Sequence, residues 1–223
     1  MGEPGWVRGY RLFFAVLTIV AIVWQYLDPG IRSLHATVNF FSFFTIQSNI
    51  IGVVVFLVGA SSLLRHPDSL TWSLIRGAAA MYLTTTFFVY CILLAGLEES
   101  LQTTIPWVNA VLHQIFPVVV VADLLLRPLA RRVDFRTAAL TWTIYPLLYL
   151  AYTLVRGPIA NWYPYPFLDP DRAGGYIGIA AYCICILIGF LVFTGLILWV
   201  SNHIRLLVEH RHPAAAAGSG GTD

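Results

Sequence analysis

Six long apolar stretches run through the chain, and no water-soluble fold has room for six such segments in 223 residues. Crossing the hydrocarbon of a bilayer takes roughly 20 mainly apolar residues. Stretches at about 9–27, 38–63, 72–96, 105–126, 135–156 and 176–200 meet that length. Without water the backbone must satisfy itself, so unbroken runs of this kind are expected to be helices. Composition removes the soluble alternative. Only 11% of residues are charged and mean hydropathy is +0.76, against about 25% charged in ordinary soluble domains.

The expected architecture is all-α: a polytopic protein whose six transmembrane helices form one domain over residues 1–204. A cytoplasmic, largely disordered tail is expected over 205–223, ending in the Ala/Gly-rich run after Pro213. The breaks between spans carry Asp28-Pro29-Gly30, Arg65-His66-Pro67-Asp68 and Gly157-Pro158. The longest connection, 157–175, is too short for a soluble domain. Arg8 and Arg11 precede the first span without a small-residue cleavage site behind it, so that span reads as a retained anchor. Basic residues concentrate on the cytoplasmic side of membrane proteins. With both termini inside, Arg8, Arg11, Arg65, Arg76, Arg127, Arg131, Arg132, Arg136, Arg205 and Arg211 are cytoplasmic, and Arg32, Arg156 and Arg172 lie outside. That 10 to 3 split sets the expected orientation. A net charge of +2 excludes a nucleic-acid binder driven by bulk charge. Cys91, Cys183 and Cys185 fall in apolar runs and are expected to pack as buried thiols.

Polar side chains at membrane depth mark either helix–helix contacts or a working site. In the second span Ser42, Thr45, Ser48, Asn49 and Gly52 share one helical face. In the fourth, Asn109 and His113 are i, i+4 neighbours, so the amide can orient the imidazole. Pro117 lacks the N–H that the His113 carbonyl would use, which predicts a kink beside the histidine. Both spans run the same way. Thr45 and His113 lie seven and eight residues from their outer ends, roughly 10–12 Å deep at 1.5 Å per residue. An alcohol and an imidazole thus share one layer. On the fifth span Trp142, Tyr145, Tyr149, Tyr152 and Arg156 form a face that climbs to an arginine able to clamp an anion. For Thr84, Thr85, Thr86 and Tyr90 on the third span, packing is the expectation. The aromatic, proline-rich loop 161–170 suits a rigid cover over the layer. Asp123 is about 15 Å along the helix from His113, too far for a triad, and is expected to pair with a loop arginine.

A neutral imidazole beside an alcohol is the minimum for an activated oxygen nucleophile. Thr45 and Ser48 both qualify, and spacing does not choose between them. Ser48, Asn49 and Asn109 are the candidates for oxyanion or orienting support. Tyr149, Tyr152, Arg156, Tyr165 and Phe167 are the candidates for substrate binding. No metal or organic cofactor is implied, and the implied partners are a lipid ester and the surrounding membrane lipids.

Three patches carry a resemblance: Phe43-Phe44-Thr45-Ile46-Gln47-Ser48-Asn49; His113-Gln114-Ile115-Phe116-Pro117 with Asp123 beyond it; and Tyr165-Pro166-Phe167-Leu168-Asp169. Together they resemble the androgen-induced protein family, which includes the androgen-dependent regulators of tissue factor pathway inhibitor. The Gln47-Ser48-Asn49 run is more similar to bacterial members. The resemblance implies a multi-pass intramembrane hydrolase that cleaves fatty acid esters of hydroxy fatty acids or related lipids. It also implies that Thr45 is the nucleophile and His113 the base, a pair that the arginine count and helix depth put in the outer half of a cell membrane. Two other classes fit the same polar layer: a non-enzymatic lipid-binding or transport protein, and a proton-coupled channel.

Overall fold

The computed structural model describes residues 4–27, 33–61, 67–97 and 105–211, with side chains as far as Leu207, and every regular element among them is helical. Helix α1 spans Gly5–Tyr26, α2 Leu34–Phe41, α3 Phe44–Ala60 and α4 Leu70–Val89, which widens into a π-turn at Tyr90–Leu94. Helix α5, Pro106–Ala110, runs through a second π-turn at Val111–Ile115 into α6, Phe116–Leu126. Helix α7 is Phe135–Ala160; a 3₁₀ turn at Pro166–Leu168 and the short α8, Pro170–Ala173, lead to α9, Gly175–Arg211. Five of these segments are long and apolar enough to cross a membrane, or six if the bent pair α2–α3 is one span.

Side chains cap the starts of α2, α4 and α7, where backbone N–H groups would otherwise be orphaned. Ser33 accepts from Ala36 N (3.0 Å), Ser69 from Trp72 N (3.1 Å) and Asp134 from Thr137 N (2.9 Å). The bond from Thr137 holds the Asp134 carboxyl below its ordinary value of 3.8. Helix α7 stops at Asn161, whose φ of 48° is a left-handed conformation that asparagine tolerates.

The core has two centres. One gathers Phe56, Phe116, Leu124, Leu83 and Trp142 around the end of the bundle that carries Asp123. The other gathers Phe43, Tyr90, Leu112, Tyr149, Tyr165 and Leu168 around the opposite end, beneath the loop after α7.

Four expectations change. The second span is not one helix: it breaks at Ser42-Phe43 with a bend of 66°. The Ser42 hydroxyl bonds back to Val38 O at 2.7 Å, a contact that bends helices. Ser42 therefore leaves the face that Thr45, Ser48, Asn49 and Gly52 share. Helix α9 continues to Arg211, beyond the expected boundary at 204. Cys91 and Cys185 are exposed on the outside of the bundle and Cys183 is half-buried, because the apolar runs that hold them face outward over part of their circumference. Asp123 pairs with helix arginines and not a loop arginine: Arg11 Nε at 2.6 Å and Arg76 Nη2 at 2.7 Å. Two of the arginines counted for orientation are thus buried. Arg32, Arg65, the Asp28-Pro29-Gly30 break, His66 and residues 212–223 lie outside the described residues, as does the Arg211 side chain.

Candidate active site

The break in the second span puts a helix start inside the bundle. Thr45 occupies the first turn of α3, where no preceding turn accepts its backbone N–H. That N–H donates to the Tyr165 hydroxyl at 3.2 Å, and the Thr45 Oγ1 lies 3.3 Å from the same phenolic oxygen. Thr45 is buried and lines a cavity of about 120 Å³ with Thr85, Thr86, Tyr149, Tyr165 and Phe167. The far wall is aliphatic, from Leu147 and Leu150 on α7 and Ile186 and Leu187 on α9. Leu147 and Leu187 are also exposed on the bundle's outer surface, so the cavity lies just behind the seam between α7 and α9.

Ser48 faces elsewhere. It is fully buried, donates to Thr45 O at 3.1 Å and meets Thr86 Oγ1 at 3.0 Å. Its hydroxyl does not line the cavity. Position, which spacing could not resolve, separates the two alcohols.

His113 lies in the second π-turn. Pro117 has no N–H to give the His113 carbonyl, and the preceding turn widens, Phe116 N–H reaching back to Val111 O. The kink expected at this proline takes the form of that bulge, a feature concentrated at functional sites. The orienting group is the Asn109 backbone and not its amide. His113 Nδ1 is 3.2 Å from Asn109 O. A carbonyl only accepts, so Nδ1 carries the proton, and in a neutral ring the lone pair would then be on Nε2. The Asn109 amide instead donates to Tyr90 OH at 2.6 Å, and the Tyr90 ring stacks on the imidazole at 4.3 Å. Tyr90 thus touches the candidate base, where the sequence suggested packing alone. Its signal was its place one span over at the same depth.

Asn49 joins the two halves. Its Nδ2 donates to Thr45 O at 2.7 Å and to Leu112 O at 3.0 Å, the residue before His113. Both amide hydrogens are thereby committed to backbone. The structure brings the segments of Thr45 and His113 together through this bridge, while the cavity wall includes Thr45 and not His113.

Of the five residues expected to bind substrate, Tyr149, Tyr165 and Phe167 line the cavity. Tyr152 and Arg156 hold α2 instead. Tyr152 OH meets Ser42 Oγ at 2.8 Å, and Arg156 Nη2 donates to Asn39 Oδ1 at 2.6 Å while its guanidinium sits over Trp162. The α7 face read from the sequence is a seam along the broken span: Tyr145 OH reaches Gln47 Oε1 at 2.5 Å and Tyr149 OH donates to Ser42 O at 3.0 Å. The loop after α7 does cover the layer. Tyr165, Phe167 and Leu168 are buried, and the Tyr165 and Phe167 rings stack at 5.2 Å. Burial raises the Tyr165 phenol above its ordinary value of 10.0, with the Thr45 hydrogen bonds opposing, so it stays protonated at neutral pH.

No family model, curated protein or solved structure matches the chain.

Proposed function

We propose that the protein is an intramembrane lipid esterase in which Thr45 attacks the ester carbonyl and His113 moves the proton. The reading is carried by one observation: a threonine hydroxyl at the start of a helix that begins inside the bundle, in the wall of an apolar cavity. In attack, the Thr45 oxygen bonds to the acyl carbon as its proton passes to His113 Nε2, and the carbonyl pair moves onto oxygen. Collapse re-forms the carbonyl and expels the alkoxide, which takes the proton from His113. Water then cleaves the acyl-threonine by the same steps in reverse order, giving the acid and the free threonine. The Nδ1 bond to Asn109 O fits this role, since it sets the tautomer a general base needs. The three patches resembling the androgen-induced protein family support the same pair, with fatty acid esters of hydroxy fatty acids or related lipids as substrates. The aliphatic wall against the α7–α9 seam suits a lipid arriving sideways. The arginine bias supports termini in the cytoplasm and a cavity in the outer half of a cell membrane.

A fluorophosphonate probe tests the reading. Labelling lost in Thr45→Ala and kept in Ser48→Ala is expected. Folded Thr45→Ala protein that hydrolyses ester lipids at the wild-type rate ends it. A second reading, a lipid-binding or transport protein without chemistry, is favoured by the absence of His113 from the cavity wall. It predicts stoichiometric lipid capture with no labelling of Thr45.

A further inference from the structure

An oxyanion needs a hydrogen-bond donor in the cavity beside Thr45, and none of the residues nominated for it from the sequence lines that cavity. Asn49 spends both amide hydrogens on Thr45 O and Leu112 O, Ser48 donates its one hydrogen to Thr45 O, and Asn109 places one of its two amide hydrogens on Tyr90 OH. Each of those donors supports backbone or ring position at the site.

We propose that the oxyanion donor is Tyr165, whose phenolic O–H is presented to the carbonyl oxygen as Thr45 attacks. The assignment rests on the esterase reading. The Thr45 N–H donates to the phenol at 3.2 Å, which occupies an acceptor lone pair on the phenolic oxygen. The phenol's own hydrogen must therefore point elsewhere, toward Thr45 Oγ1 at 3.3 Å or toward the neighbouring Tyr149 hydroxyl. When Oγ1 becomes bonded to the acyl carbon, the former carbonyl oxygen sits one tetrahedral edge from Oγ1. That location is within reach of the same O–H. Tyr165 gains and loses no proton: it donates a hydrogen bond to a charge that appears and is then withdrawn into the re-formed carbonyl.

Rigidity supports the role. A donor set before the reaction costs no reorganisation during it. Tyr165 is 6% exposed, stacks on Phe167 with ring planes 3° apart and packs edge-on against Phe43 at 5.7 Å. It lies in a low-polarity cavity wall, where a neutral donor to an oxyanion is strongest. A protonated donor is available over the whole neutral range, since burial raises the phenol.

The test uses full-length protein in lipid nanodiscs with a fluorogenic long-chain ester. Tyr165→Phe keeps both ring contacts and is expected to lower kcat roughly 10²-fold, the effect of losing one oxyanion donor, with KM within about twofold. Affinity for a trifluoromethyl ketone, which forms a tetrahedral adduct on the nucleophile, should fall by a similar factor. Affinity for an uncleavable ether analogue should not change. If Tyr165→Phe does not accumulate as folded protein, 3,5-difluorotyrosine at the same position gives the second reading, and a changed kcat with unchanged KM is expected. A Tyr165→Phe enzyme that turns over at the wild-type rate or faster overturns the assignment. So does an equal loss of affinity for the ketone and the ether. Thr45→Ala distinguishes the levels: inactive Thr45→Ala with fully active Tyr165→Phe removes only the donor, whereas fully active Thr45→Ala removes the esterase itself.

Discussion

Replacing Asp123 by asparagine should cost this protein a large share of its stability while leaving the proposed esterase activity of the folded fraction unchanged. Asp123 accepts from Arg11 Nε at 2.6 Å on one oxygen, and from Arg11 Nη2 at 3.1 Å and Arg76 Nη2 at 2.7 Å on the other. All three residues are at most 7% exposed, so bulk water screens them little. Within these three side chains two positive charges share one negative charge. Carbonyls absorb part of the difference: Arg76 Nη2 donates to Arg127 O at 2.6 Å, just past the end of α6, and Arg11 Nη1 to Gly59 O at 3.3 Å, at the end of α3. Helix C-termini are the negative ends of their dipoles, which suits this placement. Asparagine removes the only negative charge of the three and turns an N–H₂ toward guanidinium donors.

Breaking a buried pair by removing one partner costs about 3–5 kcal/mol, a large share of the 5–15 kcal/mol that holds a typical domain. The assay is unfolding in mixed micelles with rising dodecyl sulfate, read by tryptophan fluorescence. A marked drop in the midpoint is expected for Asp123→Asn. Recovery is expected when Arg11→Met, Arg76→Met and Asp123→Leu are combined, because an apolar triad needs no compensation. The folded fraction of Asp123→Asn should keep its specific activity, since His113 is ten residues away, about 15 Å along the helix. An unchanged midpoint for Asp123→Asn would refute the reasoning.

Two further outcomes concern packing and capping. A Cβ at Gly77 would overlap the six-membered ring of Trp142, which is 1% exposed and hemmed in. Gly77→Ala should therefore lower stability by about 1–3 kcal/mol in the same unfolding assay, and a midpoint at or above wild type would show that the ring yields. Asp134 caps α7, and its carboxyl is held below the ordinary 3.8 by the Thr137 bond. The sign follows: the cap is complete at neutral pH and weakens as the pH falls through that lowered value. Protection of the Thr137 amide, taken against its intrinsic exchange rate at each pH, should fall on acidification in the wild type and stay constant in Asp134→Asn, which caps without titrating.

Much of this was readable from the chain. Apolar length located the helices because a 30 Å hydrocarbon layer imposes a length that few sequences meet by chance. The spacing Trp142, Tyr145, Tyr149, Tyr152, Arg156 gave a true face, since α7 is one continuous helix through it. The break at Ser42-Phe43 was hidden for the same reason that the spans were visible. Hydropathy reports solvent, not continuity, and Phe40, Phe41, Phe43 and Phe44 are as apolar in a bend as in a helix. The π-turns were hidden too. Pro117 announced a disturbance, but a widened turn and a kink begin from the same missing N–H. Arg11 and Arg76 were counted with the cytoplasmic charges because they stand near span ends. Their burial depends on Asp123, a partner 112 and 47 residues away.

A break inside an apolar bundle persists only if each freed backbone group finds a partner, because hydrocarbon offers none. Here the partners are side chains. Gln47 Nε2 takes Phe41 O at 2.7 Å, Tyr149 OH takes Ser42 O at 3.0 Å, and Tyr165 OH receives Thr45 N–H at 3.2 Å. A straight helix through residues 38–63 would need none of these groups, so they exist for the bend and for what the bend exposes, the first turn carrying Thr45. Tyr149→Phe isolates that argument. It keeps the ring against Phe44 at 5.2 Å and removes the donor to Ser42 O together with the hydroxyl beside Tyr165. A buried acceptor without its partner costs about 1–3 kcal/mol, and the penalty should be local to the break. Amides of residues 43–46 are expected to exchange faster, with those of α9 unchanged, and Thr45 labelling should slow. If exchange at the break matches wild type, the carbonyl is satisfied by some other group and the tyrosine serves the cavity wall alone.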